Sequence, residues 1–304
     1  MIQFLQNLID AISLGSIYAL VALGIGLLFG ILRLINFAHG DFITIGAYAL
    51  IVPSADVTAR LMIGGWPWPL LIPAVCLIVV VAALLTDALV FRPIRRASSP
   101  TLMIASFAVS YIIQNGVLMA YGSRPKAVDL WSGANTQVLI GTLRVPMLQL
   151  ITLVTTLVLM VAISLFLKRT SYGVQMRAAA EDFRMAQYLG VRGNVVIGIA
   201  FAISGILAGV VSLLYTTQAG SLSHTMGVPL ALFAFVAVVV GGMGSLVGAV
   251  VGGFAIGMIV TMLQAYLPPD LRAFRDAFAF AFVILVLLVR PAGLVPAHTS
   301  FERV

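Results

Sequence analysis

The sequence predicts an all-α fold: a polytopic transmembrane bundle of eight to nine helical spans, one or two of them short or broken, in a single domain over residues 1–304. Three observations lead there. Of the 304 residues 62% are hydrophobic and only 9% charged, whereas a soluble domain is nearer half apolar and a quarter charged. The mean hydropathy is +1.13. Apolar runs of about 20 residues recur along the chain, the length at which a helix crosses the hydrocarbon core, whereas outer-membrane barrels carry only short alternating segments.

The elements follow in order. The first 32 residues hold no Lys or Arg, so the basic start of a cleavable signal is missing and the opening run is expected to stay as a first membrane helix. The apolar segments run Leu8–Leu32, Phe37–Val52, Leu70–Phe91, Leu102–Tyr121, Met147–Leu167, Val195–Tyr215, Val228–Val240, Leu246–Leu267 and Ala277–Val289. The second and seventh fall short of a full crossing and are candidates for broken or re-entrant helices. Cys76 lies alone in an apolar run and can form neither an intrachain disulfide nor a multi-thiolate metal site.

Cytoplasmic loops are enriched in Lys and Arg. Placing Arg33, the Arg92/Arg95/Arg96 cluster, the loop from Lys168 to Arg192, Arg290 and Arg303 inside accounts for most of the 17 basic residues. Arg60, Arg124, Lys126, Arg144, Arg272 and Arg275 remain outside. This scheme puts the N-terminus outside and the C-terminus inside, with an odd number of crossings. WPWP at Trp66 to Pro69 supports the outer assignment, because tryptophans gather at the interface and prolines end helices there. The loop from Gly122 to Pro146 is the longest external one, either a plain connection or a landing surface. The net charge of +7 reflects cytoplasmic loops rather than nucleic-acid binding. No GxxxxGK[ST] run is present, so the chain has no phosphate-cradling loop of its own.

The internal loop SYGVQMRAAAEDFRMAQYLGVRGN, residues 171–194, reads as helix from Val174 to Leu189, rich in good helix formers and stopped by Gly190. Met185 and Leu189 share a face, and Val174, Met176 and Phe183 add apolar surface. That face must bury itself against headgroups, the protein's own helix ends or a cytoplasmic partner. The order of small residues, Glu181-Asp182, apolar residues and Leu189-Gly190 resembles the "EAA" loop of ABC-importer permeases, which docks in a cleft of the ATPase subunit. The resemblance implies coupling residues at Ala180, Glu181, Asp182, Phe183, Arg184, Met185, Leu189 and Gly190.

LINFAHGDFITIGAY at 34–48 narrows the resemblance, for it is similar to the N-terminal signature of the branched-chain amino-acid permease family, the LivH-type subunit. GSIYALVALG (15–24), FRPIRR (91–96), YIIQNGV (111–117), AAAEDFRMAQYLGV (178–191), GGMGSLVGAVVGG (241–253) and LVLLVRPAGL (285–294) match in the same order. The resemblance covers nearly the whole chain. It implies an inner-membrane permease with a second, different permease chain, two ATP-binding subunits carrying ATP and Mg, and a periplasmic binding protein. Similar permeases serve branched-chain amino acids, urea, short amides and aromatic acids.

Independently of the family, Asn36 or Asp41 can cap the helix that follows, with Asp41 offsetting its positive end, and Gly40 permits close backbone approach. Two placements remain open. NFAHGD is either a tight turn at the cytoplasmic surface or non-helical backbone starting a half-helix inside the membrane and lining the path. The second placement makes Asn36, Phe37, His39, Gly40 and Asp41 pathway residues. Gly244, Gly248 and Gly252, then Gly253 and Gly257, have the spacing of close helix packing. Gly241, Gly242 and Gly244 can also form the break in a second discontinuous helix. Gln114, Asn115 and Gln264 are costly in a membrane and serve as interhelical links or polar points along the path. Asp87 can pair with Arg92 or Arg95.

Three function classes compete. A membrane enzyme is disfavoured because His39, His224 and His298 are far apart and no His, Cys, Asp or Glu cluster at catalytic or metal-ligand spacing. An ion-coupled secondary transporter has no use for a docking helix, and this sequence lacks the buried acidic chain a proton-coupled pump would use. The reading is therefore a permease without its own ATPase site, metal or cofactor, moving branched-chain or related small amphipathic amino acids.

Overall fold

The computed structural model describes residues 2–32, 35–54, 56–95, 97–131, 136–140 and 143–295. Arg33, Arg96, Arg303 and His298 lie outside the described residues. The helices are α1 (Ile2–Leu32), α2 (His39–Tyr48), α3 (Trp68–Thr86), α4 (Arg92–Ile94), α5 (Ser99–Tyr121), α6 (Met147–Arg169), α7 (Ser171–Glu181), α8 (Phe183–Tyr188), α9 (Gly193–Ala219), α10 (Gly227–Gly241), α11 (Leu246–Tyr266) and α12 (Arg275–Val289). Short strands β1 (Lys126–Ala127) and β4 (Ser221–Leu222) pair antiparallel, as do β2 (Gln137–Ile140) and β3 (Leu143–Pro146).

Six stretches among the described residues are long and apolar enough to cross a membrane: Ile2–Leu32, Trp68–Ile94, Ser99–Tyr121, Met147–Arg169, Gly193–Ala219 and Leu246–Tyr266. The other three apolar segments form the shorter α2, α10 and α12, of 10, 15 and 15 residues. At about 1.5 Å per residue α2 spans about half of the hydrocarbon core. The expectation of short second and seventh segments is met, and the last segment joins them.

α1 and α11 form the centre, lying antiparallel: Gly15 opposes Phe254 and Gly257, Ala19 opposes Gly253, and Gly26 opposes Ala249. A Cβ on Gly15 would sit 3.0 Å from the Phe254 Cα. Gly248 and Gly252 on the other side of α11 meet Gly241 and Ala237 of α10. Lipid gives helices no hydrophobic drive to associate, so small residues that admit close backbones supply it through dispersion. α9 packs on α3 in the same way, with Gly205 against Val80 and Gly209 against Cys76.

α3 ends in a π-helical turn, Asp87–Phe91, that runs on into α4. There Arg95 binds both carboxylate oxygens of Asp87 at 2.6 and 2.7 Å and reaches the Asn194 amide oxygen at 2.5 Å. Asp87 pairs with Arg95, not Arg92. In WPWP the prolines begin a helix rather than end one: Pro67 is the N-cap of α3 and Pro69 sits in its first turn, where the missing N–H costs nothing. Gln114 and Asn115 were expected as interhelical links, yet each bonds within α5, to the Ser110 hydroxyl and the Tyr111 carbonyl. Gln264 does link two helices, accepting from Arg275 at 3.1 Å.

The two ends of the bundle differ. At the end where α1 starts, Gln6 donates to the Arg144 carbonyl beside the β2–β3 hairpin. Near there Lys126, 1% exposed, is held by the Ser54 and Asp56 carbonyls at 2.6 and 2.8 Å. At the other end gather the end of α1, α7, and the α10–α11 turn.

Candidate functional site: a half-helix inside the bundle and a docking element at its end

The segment after α1 turns back into the bundle. Its backbone is satisfied by side chains: Asn36 Oδ1 accepts from Ala38 N at 3.1 Å, and the Ser106 hydroxyl accepts from Phe37 N at 3.3 Å. Ala38, not Asn36 or Asp41, is the N-cap of α2, and no side chain caps it. Asn36 instead closes an Asx-type turn just before the helix, and Asp41 lies in the first turn, where a carboxylate faces the positive helix end.

Depth can be read from the neighbours. His39 packs so tightly on Gly24 that a Cβ there would fall 2.5 Å from the ring, and its Nδ1 shares a 2.9 Å bond with the Ser204 hydroxyl. Gly24 lies eight residues before the end of α1 and Ser204 eleven after the start of α9. At about 1.5 Å per residue the imidazole is about 12 to 16 Å inside the bundle. NFAHGD lies inside the bundle, non-helical over Asn36 to Ala38 and helical from His39. His39, which had no evident role, fills the notch left by Gly24.

α10 also begins in the interior. A Cβ on Gly227 would fall on the Gly40 carbonyl oxygen, and one on Gly40 would fall on the Gly227 carbonyl oxygen. The Thr44 hydroxyl accepts from Gly227 N at 3.2 Å. Two short helices thus start from one backbone contact and leave it in opposite directions, α2 toward the Lys126 end and α10 toward the α7 end. Beside the contact is a cavity of about 520 Å³ lined by Phe37, Phe107, Ser110, Gln114, Thr225 and Leu232 among others. Phe37 stacks on Phe107 with centroids 4.2 Å apart. Asp41 is fully buried beside Ser110 and Gln114.

The expected path residues therefore divide. Asn36, Phe37, His39, Gly40, Asp41 and Gln114 come together. Asn115 does not line the cavity, and Gly241, Gly242 and Gly244 lie at the far end of α10. There Gly242 and Gly244 take φ of +114° and +91° in the turn to α11, whose N-cap Ser245 accepts from Gly248 N. Gly241 accepts from Val295 N. Ser110, Thr225 and Gly227 were not foreseen; the hydroxyls within apolar runs and the Gly-Val-Pro start of the seventh segment were the available signals.

The docking element is two helices rather than the one expected over Val174–Leu189. Asp182 takes an extended conformation (φ −142°, ψ 103°), ends α7, and caps α8 by accepting from Met185 N at 2.9 Å. Gly190 (φ +92°) closes α8 with a Schellman pair, Val191 N to Ala186 O and Gly190 N to Gln187 O. Met176, Ala179 and Ala186 are buried against the bundle, whereas Met185, Tyr188 and Leu189 point outward. Tyr188 was missed by the sequence reading. Ala180 and Glu181 face a second cavity, about 500 Å³, shared with Gly26, Gly30 and Gly244.

Comparison with known proteins places this arrangement. A model of the family described as "Branched-chain amino acid transport system / permease component" matches residues 7–287. The high-affinity branched-chain amino acid transport system permease protein LivH of Escherichia coli is 33% identical over 96% of each chain. The corresponding BraD of Pseudomonas aeruginosa is 31% identical over 96% of this chain and 95% of its own. A probable LivH of Methanocaldococcus jannaschii is 25% identical over 93% and 90%. No solved structure matches. The chain belongs to the family of permease components of branched-chain amino acid transport systems.

Proposed function

We propose that this chain moves branched-chain or related small amphipathic amino acids inward, driven by ATP hydrolysed with Mg on two separate subunits. A periplasmic binding protein delivers the substrate and a second, different permease chain completes the pathway. This chain holds no ATPase site, cofactor or metal of its own. The N-terminus lies on the periplasmic side and the C-terminus in the cytoplasm, so the Lys126 end faces outward and α7–α8 inward.

The observation that carries the reading is the two-faced element α7–α8. One side is locked into the bundle by Met176, Ala179 and Ala186, and the other offers Met185, Tyr188 and Leu189 to solvent. A helix that only rested on its own protein would bury its apolar side chains there. ATP-driven closure of the partner subunits pushes this element, and the bundle rocks between outward and inward access. Replacing Glu181 and Gly190 together by alanine tests the coupling in cells expressing the whole transporter. Leucine uptake is expected to fall to background. Unaltered uptake with normal ATPase co-purification would remove the assignment.

A further inference from the structure

We infer that the cavity beside α7 is a regulatory site for a free amino acid on the cytoplasmic side, in which Arg177 takes the carboxylate and Glu181 the ammonium group. The inference rests on the amino-acid permease reading and adds feedback by the product to it. The cavity, about 500 Å³, lies within the range of small-molecule sites, and both charged residues line it. They sit one turn apart on α7, with Cβ atoms about 5–6 Å from each other. The two ends of one amino acid can bridge that span.

Neither charge is answered from within the chain. The ion pairs among the described residues are Arg95 with Asp87 and Arg275 with Asp276, so Arg177 and Glu181 stand one above the other without binding each other. Their order is consistent with this, since a basic residue four places ahead of an acidic one pairs more weakly than the reverse. Glu181 is also the last residue of α7, where the negative helix end favours a cation. Leu27 and Ile31 of α1 and Leu246 of α11 form an apolar wall, which receives an aliphatic side chain. A ligand seated there ties α7 to α1 and α11. Because α7–α8 is the element that the ATPase subunits push, a filled cavity holds it still and slows the next cycle.

The test uses the complete transporter in proteoliposomes, with ATP and unlabelled leucine on the α7 side and radiolabelled leucine delivered from the other. Leucine on the α7 side is expected to lower the initial uptake rate about fivefold or more, the size of a typical coupling between sites. Leucinol, which lacks the carboxylate, and isocaproate, which lacks the ammonium group, should each leave the rate unchanged. Gly30 lines the cavity, and a Cβ there would meet nothing within 4 Å, so Gly30→Leu fills the space without straining α1. Gly30→Leu and Arg177→Gln are each expected to transport normally and to lose the inhibition. A wild-type rate that ignores leucine on the α7 side overturns the inference. So does inhibition that persists in either variant, which would put the product on the transport path instead, and so does equal inhibition by leucinol or isocaproate. If Gly30→Leu does not assemble, Arg177→Gln decides alone. Wild-type vesicles that import no amino acid remove the functional reading itself, a failure distinct from uptake that proceeds regardless of leucine on the α7 side.

Discussion

Tyr188 and Leu189 allow the docking surface to be tested by magnitude. They are 85% and 81% exposed, so changing both to alanine removes almost no packing from the chain itself. Fully burying a large apolar side chain stabilises by roughly 1.5–3 kcal/mol, and about four-fifths of each is still available to a partner. Covering both contributes about 3 kcal/mol, which is roughly a hundredfold in affinity. The assay is titration of the purified ATP-binding subunit onto the detergent-solubilised permease, wild type against Tyr188→Ala/Leu189→Ala. Thermal unfolding of the permease alone should not change between the two. Affinities that agree within about threefold would refute the reasoning, because they would mean that the exposed apolar pair meets lipid or solvent in the assembled transporter.

Gly24→Ala puts a methyl group 2.5 Å from the His39 ring, so the imidazole must leave Ser204. We expect a loss of about 1–3 kcal/mol, read as a lowered unfolding temperature in detergent. Arg95→Ala leaves Asp87 unpaired where its side chain is only 9% exposed. It should cost about 3 kcal/mol or more, with much of the loss recovered when Asp87→Asn is added.

Much of this fold is written in local patterns. The glycines from 248 to 257 foretold close helix contacts because a four-residue repeat of small side chains puts them on one side of a helix, whatever lies opposite, whereas Gly244, read into the same repeat, falls in the turn before α11. The alternation between partners, Gly248 and Gly252 toward α10 but Gly253 and Gly257 toward α1, was not legible, because it depends on which helices flank α11. Asp182 shows a different limit. Its propensity permits either a helix interior or a cap, and the bend in space that buries Ala186 while freeing Met185 decides for the cap. Gln114 and Asn115 were expected to link helices because a membrane leaves amides few partners, but each found one a turn earlier on its own helix. The depth of Asn36 to Asp41 was left open since residues 35–38 carry no helical periodicity, and only Gly24, Ser106 and Ser204, distant in sequence, show where they lie.

The meeting of Gly40 and Gly227 has a mechanical meaning. Side chains that interdigitate behave like gear teeth, and turning one helix drags the other. At Gly40 and Gly227 the two backbones touch, and beside them the Thr44 hydroxyl holds Gly227 N and Ala231 packs on Gly40, so α2 and α10 are pinned together at their common origin. The far ends are not free: Tyr121 holds the Tyr48 carbonyl at one, and Leu294 and Val295 hold Val240 and Gly241 at the other. A displacement of either helix at its own surface is thus passed to the other at mid-depth, and a side chain at either glycine would force the two backbones apart.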